Sequence, residues 1–229
     1  MDITINEEIR GLYTAQCNLD IVTLRKTADE MYDIIKNSFV SDKSDYSGQS
    51  TLTTKLYSKY NFCMYPLPGI NELYWTIHHV FHNCLTHFHG GSSNKRYFMQ
   101  SWLNYYQKGE FIDWHCHTQG DVGGWHGFFC LDVEPGSYTS YRWPNEPERN
   151  NMVVDVQSEN NLMVMGISNQ DQHKSSEWPY EDRPRITIAF DIMPEQELYI
   201  GGGSRDGSPL SFKQKMKDSK YFVNHWIPI

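Results

Sequence analysis

The residues best suited to chemistry are histidines in the middle of the chain. His115 and His117 end the segment GEFIDWHCH, which begins at residue 109. Alternate side chains of an extended strand share a face, so Asp113 and both imidazoles are expected to project together. Polar groups on one face of an otherwise apolar strand are costly to bury without a partner, and neutral imidazole is a common metal ligand. The spacing therefore predicts a metal site, although two surface or hydrogen-bonded core histidines would give the same pattern.

A third histidine and an arginine follow later in the chain. His173 precedes the apolar run RITIAF, which begins with Arg185. A guanidinium at the start of a core strand is costly to bury unless it meets an anion, and its planar fork matches a carboxylate. Thr187 shares its face and offers a hydroxyl to the same anion. The simpler alternative is an ordinary ion pair between Arg185 and Glu181 or Asp182.

Helices and strands are predicted around these residues. Apolar residues at helical spacing predict helices over 20–38, with Asp20 as the N-cap, and over 70–86. Short aromatic and β-branched runs predict about eight strands: 51–57, 97–106, 110–116, 126–133, 137–142, 152–156, 161–167 and 185–192. Turn-forming residues separate these runs, which favours an antiparallel sandwich or barrel with helices packed outside.

Composition limits the classes of protein that remain. The 229 residues carry 20 Lys+Arg and 28 Asp+Glu, a net charge of −8, which disfavours nucleic-acid binding. Aromatic residues make up 14% of the chain, which argues against disorder. No apolar run is long enough for a membrane helix, and the first residues do not resemble a signal peptide. Without a membrane helix or signal peptide, we expect a cytoplasmic protein. The five cysteines include no CxxC pair, so neither a disulfide framework nor a zinc knuckle is expected.

Four stretches carry a resemblance to a known superfamily. QSWLN (100–104), Gly109, the HCH of 115–117 and RITIAF (185–190) resemble the Fe(II)/2-oxoglutarate-dependent oxygenases with an HxH…H…R pattern. The resemblance covers 97–192. It implies a mainly β fold with flanking helices: a double-stranded β-helix, or jelly-roll and cupin-like barrel.

The same resemblance implies how the chain is divided. We expect one oxygenase domain over 1–229, with N-terminal helices and supporting strands in 1–96. The jelly-roll core would occupy 97–192, and a C-terminal extension would follow over 193–229.

The resemblance also implies cofactors and a reaction. Fe(II) would be the metal and 2-oxoglutarate the cosubstrate. Together with O2 they would hydroxylate a C–H bond of a protein, peptide or small molecule, releasing succinate and CO2. No nucleic-acid or membrane partner is expected.

The implied iron ligands are His115, His117 and His173. Most members of this superfamily present His-x-Asp or His-x-Glu, whereas this chain has His117 in the carboxylate position. Asp121, four residues further on, is the main competitor for the third ligand. Asp113 is expected instead to accept a hydrogen bond from a ligand imidazole.

The remaining predicted site residues bind the cosubstrate or line the pocket. Arg185 and Thr187 would grip the far carboxylate of 2-oxoglutarate, and Tyr106 or Asn104 would complete that grip. The expected pocket residues are Trp125, His126 and Tyr141.

Two other functions remain open from the sequence. The series Gly109, His115, His117, Asp121 and Gly127 is close to the first cupin motif, which suggests a metalloenzyme without 2-oxoglutarate, such as a three-histidine dioxygenase or an isomerase. Because cupins share the jelly-roll architecture, the fold does not separate these readings. The other alternative is a non-catalytic jelly-roll binding module with incidental histidines.

Overall fold

The computed structural model describes residues 3–9, 11–38, 51–89, 94–117, 123–168, 171–195 and 226–229. Its helices are α1 (Ile21–Ser38), α2 (Leu52–Lys55) and α3 (Ile70–His89), with 3₁₀ turns at Tyr57–Lys59 and Phe62–Met64. Its strands are β1 (Ile5–Ile9), β2 (Leu12–Gln16), β3 (Tyr97–Tyr106), β4 (Trp125–Asp132), β5 (Tyr138–Arg142), β6 (Val153–Gln157), β7 (Leu162–Ile167), β8 (Gln172–Ser175), β9 (Arg185–Pro194) and β10 (Ile227–Pro228).

The described strands form two antiparallel sheets. The larger sheet has the order β1-β2-β7-β4-β9-β3-β10, and the smaller has the order β6-β5-β8. Leu12 and Val164 of the larger sheet pack against Tyr141 and Val156 of the smaller one. The architecture is therefore the predicted mainly β, jelly-roll type, but the larger sheet does not close into a barrel.

Helices α1 and α3 cover one face of the larger sheet. Leu24 and Ala28 of α1 and Phe81 of α3 share a core cluster with Ile186 and Ile188 of β9. The predicted N-cap is also found, because Oδ1 of Asp20 accepts hydrogen bonds from the main-chain N–H groups of Val22 and Thr23 in the first turn of α1. No helix in the described ranges combines the length and apolar character needed to cross a membrane.

The other face of the larger sheet carries polar side chains. Along β9, residues 186, 188, 190 and 192 lie in the helix-side core. Arg185, Thr187 and Ala189 alternate with them and line a cavity on the opposite face. Register with β3 places Tyr106 beside Arg185 and Asn104 beside Thr187. Strand alternation and register thus build a polar row facing the smaller sheet.

Two predicted strands are wrong. The segment 51–57 forms α2 and the start of a 3₁₀ turn. Its threonines use their hydroxyls for polar contacts: Thr51 accepts from the N–H of Thr54, and Thr53 accepts from the N–H of Tyr105 in β3. The segment 110–116 is irregular, with one isolated bridge at His115.

The C-terminal and N-terminal strands were not predicted individually. β1 and β2 extend the larger sheet beyond β7, and β10 pairs with β3 at the other edge. Residues 196–225 of the expected C-terminal extension lie outside the described residues.

Candidate active site

A short bridge brings the HxH segment against His173. The N–H of His115 donates to the carbonyl of His173 at 3.1 Å, and the N–H of His173 donates to the carbonyl of His115 at 2.9 Å. The segment thus lies beside β8, at the edge of the smaller sheet. The His173 ring centroid is 4.3 Å from that of His115 and 4.9 Å from that of His117. The structure therefore brings together the three histidines that the sequence singles out.

The spacing of their nitrogens fits one metal ion. Nε2 of His115 and Nε2 of His117 are 3.2 Å apart, and one ligand atom from each of the three histidines lies within 4.8 Å of the others. Two imidazole nitrogens bound about 2.1 Å from one ion lie about 3.0 Å apart at a right angle and about 3.4 Å apart at the tetrahedral angle.

The Nδ1 atoms of His115 and His117 are already engaged. Nδ1 of His115 lies 2.8 Å from the carbonyl oxygen of Asp113, and Nδ1 of His117 contacts the carboxylate of Asp191 on β9. The side chain of Asp113 instead accepts the N–H of Trp114. Asp113 therefore lies against a ligand imidazole as the sequence predicts, but through its main-chain carbonyl and not its carboxylate. Asp191 was not predicted to take part.

The third histidine has a carboxylate acceptor as well. Nδ1 of His173 is 3.2 Å from Oδ2 of Asp171, and the same oxygen is 2.9 Å from Nε2 of His126, in a geometry that is not aligned as a hydrogen bond. The rings of His126 and His173 stack, 4.6 Å apart. An acceptor at Nδ1 fixes the tautomer that leaves Nε2 free for a metal. All three imidazoles have such an acceptor.

His126, Asp171 and His173 form a second group whose ligand atoms lie within 4.8 Å of one another. All three residues are buried, and the carboxylate of Asp171 already contacts both imidazoles. This group is better described as the support of His173 than as an open metal site.

Burial and charge set the protonation of the cluster. Burial lowers the pKa of His115 to about 4, with a smaller contribution from His117. Burial also holds the pKa of His173 well below its usual value. Burial opposes the charged form of His117 too, but the carboxylate of Asp191 outweighs it and raises that pKa. Neutral imidazoles at 115 and 173 are the form that binds metals.

Arg185 lies deep in the polar row of β9. It is 1% exposed, and its guanidinium donates to the hydroxyls of Ser158 at 3.1 Å and Ser176 at 3.4 Å. The guanidinium carbon lies 5.2 Å from the ring centroid of Tyr106. Its buried Nε has no hydrogen-bond partner, and no carboxylate pairs with it, among the described residues.

The simple ion-pair reading of Arg185 is therefore wrong. Glu181 pairs instead with Lys108, at 3.1 Å, and Asp182 forms no ion pair with Arg185. A buried cation without an anion is unfavourable, so the site fits an anionic ligand.

The polar groups beside Arg185 form a connected set. Nδ2 of Asn104 donates to the hydroxyl of Thr187 at 3.3 Å, and Oδ1 of Asn104 accepts from Thr54 at 2.5 Å. Burial raises the pKa of Tyr106, an effect that Arg185 opposes. Asn104, Tyr106 and Thr187 thus lie together beside Arg185, and Thr54 of α2 adds a hydroxyl that the sequence did not indicate.

The metal and anion ends share one space. The inner cavity, about 50 Å³, is lined by His115, His117 and His173 at one end and by Arg185 and Thr187 at the other. By that measure it has room for several water molecules. An outer pocket of about 210 Å³ adjoins it at the two histidines of the HxH segment.

The three predicted pocket residues lie in different places. His126 lines the inner cavity. Trp125, its neighbour on β4, points to the opposite face, where its ring packs against Tyr13 and Phe81, so this prediction is wrong. Tyr141 lies behind His173, with ring centroids 5.4 Å apart, and does not line either space.

The competing carboxylate ligand, Asp121, lies outside the described residues.

Comparison with known proteins bears on the fold. No protein-family model matches the sequence, and no curated protein sequence matches it. Among solved structures, AviO1 from Streptomyces viridochromogenes Tue57 is similar, with a TM-score of 0.53 and 14% identity over 80% of this chain and 89% of that chain. The non-heme alpha-ketoglutarate-dependent carbocyclase SnoK from nogalamycin biosynthesis is also similar, with a TM-score of 0.53 and 13% identity over 88% of this chain and 89% of that chain.

A prolyl hydroxylase from Trichoplax adhaerens, in complex with a hypoxia inducible factor peptide fragment, gives a TM-score of 0.53 and 11% identity, over 82% and 85% of the two chains. Alpha-ketoglutarate is 2-oxoglutarate, so these similar structures include enzymes of the superfamily that the sequence resembles. The predicted fold is therefore confirmed.

Proposed function

We propose that this chain is an Fe(II)- and 2-oxoglutarate-dependent oxygenase whose iron is bound by His115, His117 and His173. One observation carries the proposal: a single cavity has three convergent imidazoles at one end and a buried guanidinium without a carboxylate partner at the other. 2-Oxoglutarate has the matching ends, a 2-oxo acid that chelates a metal and a distant carboxylate.

Each residue has a defined part in this proposal. The histidines bind the metal through Nε2, while Asp171 and Asp191 hold two of the rings in orientation. Arg185 and Thr187 bind the far carboxylate, supported by Tyr106, and the two serine hydroxyls on Arg185 fix the plane of its guanidinium. When bound, iron and 2-oxoglutarate supply O2 activation and C–H oxidation, with release of succinate and CO2.

The apolar walls of the inner cavity limit water around the reacting groups. Trp102, Ile112, Phe128 and Ala189 line it between the two polar ends. Where a ligand displaces water from this cavity, electrostatic contacts between the guanidinium and the ligand become stronger. We propose further that the oxidation is a hydroxylation and that the substrate is a peptide or a small molecule.

A cupin-like metalloenzyme without 2-oxoglutarate is the second candidate. The all-histidine set favours it, because Asp171 and Asp191 meet their imidazoles at Nδ1 rather than at the open Nε2 face. That candidate leaves the buried charge of Arg185 without a ligand, so we rank it second.

Oxygen consumption and succinate formation test the proposal. The wild type with Fe(II) should consume O2 and form succinate only when 2-oxoglutarate is present, and His173→Ala should do neither. Metal-dependent activity that is indifferent to 2-oxoglutarate would favour the cupin-like enzyme. A folded, iron-loaded protein that forms no succinate would contradict the proposal.

A further inference from the structure

The outer pocket has a distinct chemical character beside the proposed iron site. Its wall includes the aromatic rings of Tyr57 and Trp102 and the carboxylate of Asp191. It shares His115 and His117 with the inner cavity. A group held there would lie next to an ion bound by those histidines.

The acidic side chain on this wall is Asp191, which also contacts His117. No lysine or arginine is among the described residues that line the pocket, whereas the side chain of Asp191 is present and 20% exposed. Burial raises the pKa of Tyr57, and the charge of Asp191 raises it further.

The ring of Tyr57 offers open surface to a ligand. The ring centroids of Tyr57 and Trp102 are 5.5 Å apart and their planes are inclined by 56°. Trp102 is 6% exposed and held by the sheet, while Tyr57 is 42% exposed. Cations bind favourably over such ring faces. The net charge of −8 would also favour the approach of a cationic molecule.

We infer that the outer pocket binds a cationic group of the substrate, an alkylammonium or guanidinium, against Tyr57 and Trp102 and beside Asp191. The assignment of this group to a substrate rests on the proposed function. A cationic group seated there would lie beside the carboxylate of Asp191, the one acidic side chain among the described residues that line this pocket.

Two small probes of the same shape test the charge preference. Choline and 3,3-dimethylbutan-1-ol differ in the quaternary nitrogen, which is a neutral carbon in the alcohol. Each is titrated into the full chain, with Zn(II) and 2-oxoglutarate and again without them, and the tryptophan indole N–H resonances are followed by NMR. Choline should bind about 3- to 30-fold more tightly than the alcohol, the range that a cation–π contact provides.

Tyr57 supplies matched variants because its ring is partly exposed. Tyr57→Phe keeps the ring face and should keep the preference for choline. Tyr57→Leu removes the aromatic ring and should reduce the preference for choline at least about threefold, the lower end of a cation–π contribution. Equal binding of both probes, no binding of choline, or a preference unchanged in Tyr57→Leu would overturn the inference.

The binding test is independent of turnover. A choline preference in a protein that forms no succinate would keep the cation site and reject the oxygenase proposal. Succinate formation without a choline preference would reject the cation site and keep the oxygenase.

Discussion

Replacing Arg185 with glutamine should stabilise the free protein while it abolishes tight binding of 2-oxoglutarate. In the free protein the guanidinium is buried, and among the described residues it contacts two serine hydroxyls and the ring of Tyr106. Removing a buried charge that lacks an anion relieves a desolvation cost. An ion-paired structural arginine would behave in the opposite way.

The two effects differ in size as well as in sign. Relief of about 1 kcal/mol in the free protein would raise Tm by about 2–4 °C for a chain of this length. Loss of the guanidinium from a desolvated contact with a carboxylate costs about 2–5 kcal/mol. The Kd for 2-oxoglutarate should therefore increase from about 30-fold to several thousandfold.

Calorimetry and thermal unfolding measure both effects. Mn(II), which replaces iron without consuming O2, is titrated first, followed by 2-oxoglutarate. Arg185→Gln should keep the wild-type Mn(II) affinity and lose the increase in Tm that 2-oxoglutarate produces. Arg185→Lys keeps the charge but loses the planar fork, so its affinity should be intermediate. A lower Tm for Arg185→Gln without ligand, with equal losses of metal and 2-oxoglutarate affinity, would refute the reasoning.

Three further tests concern the ligands, their support and the cavity wall. Asp191→Asn removes the charge behind His117 and should weaken Mn(II) binding about 10- to 100-fold by calorimetry; unchanged affinity would exclude this support. His117→Ala should lose the bound metal, measured by elemental analysis, whereas Asp121→Asn should retain it; the reverse would make the carboxylate the ligand. A Cβ at Gly127 would meet the carbonyl of Val164, so Gly127→Ala should cost about 1–3 kcal/mol and lower Tm, and an unchanged Tm would contradict that close contact.

The elements that carry the anion end could be predicted closely. The predicted strand 97–106 has the bounds of β3, and the strand predicted from 185 begins where β9 begins. β3 is rich in aromatic residues and β9 in isoleucine, and the alternation along each strand fixes which side chains share a face. This alternation alone predicts that the side chains of Arg185 and Thr187 lie on the same face of β9.

The sequence misled where side chains bind the local main chain. Threonines at 51–54 suggest a strand by propensity, but their hydroxyls cap α2 and bond to β3. Asp113 interrupts the segment 110–116 because its carboxylate binds the N–H of the following residue. The HxH histidines nevertheless share a side, since the bridge to β8 holds the segment extended around His115.

The positions of the two supporting carboxylates in the sequence already indicate that they lie near the site. Asp171 stands two residues before His173, and Asp191 lies on the same face of β9 as Arg185. Their roles could not be assigned from the sequence, because pairing with His126 and His117 depends on how the two sheets face each other. Trp125 was assigned to the wrong face for a related reason: only the β4 register shows that His126 faces the cavity.

Anaerobic addition of Fe(II) and 2-oxoglutarate, followed by visible absorption, tests the central claim most directly. Chelation of iron by the cosubstrate should produce a broad charge-transfer band that saturates at one iron per chain and is absent from His173→Ala. A folded wild-type protein that binds no iron, or whose iron absorbs identically with and without 2-oxoglutarate, would contradict the account.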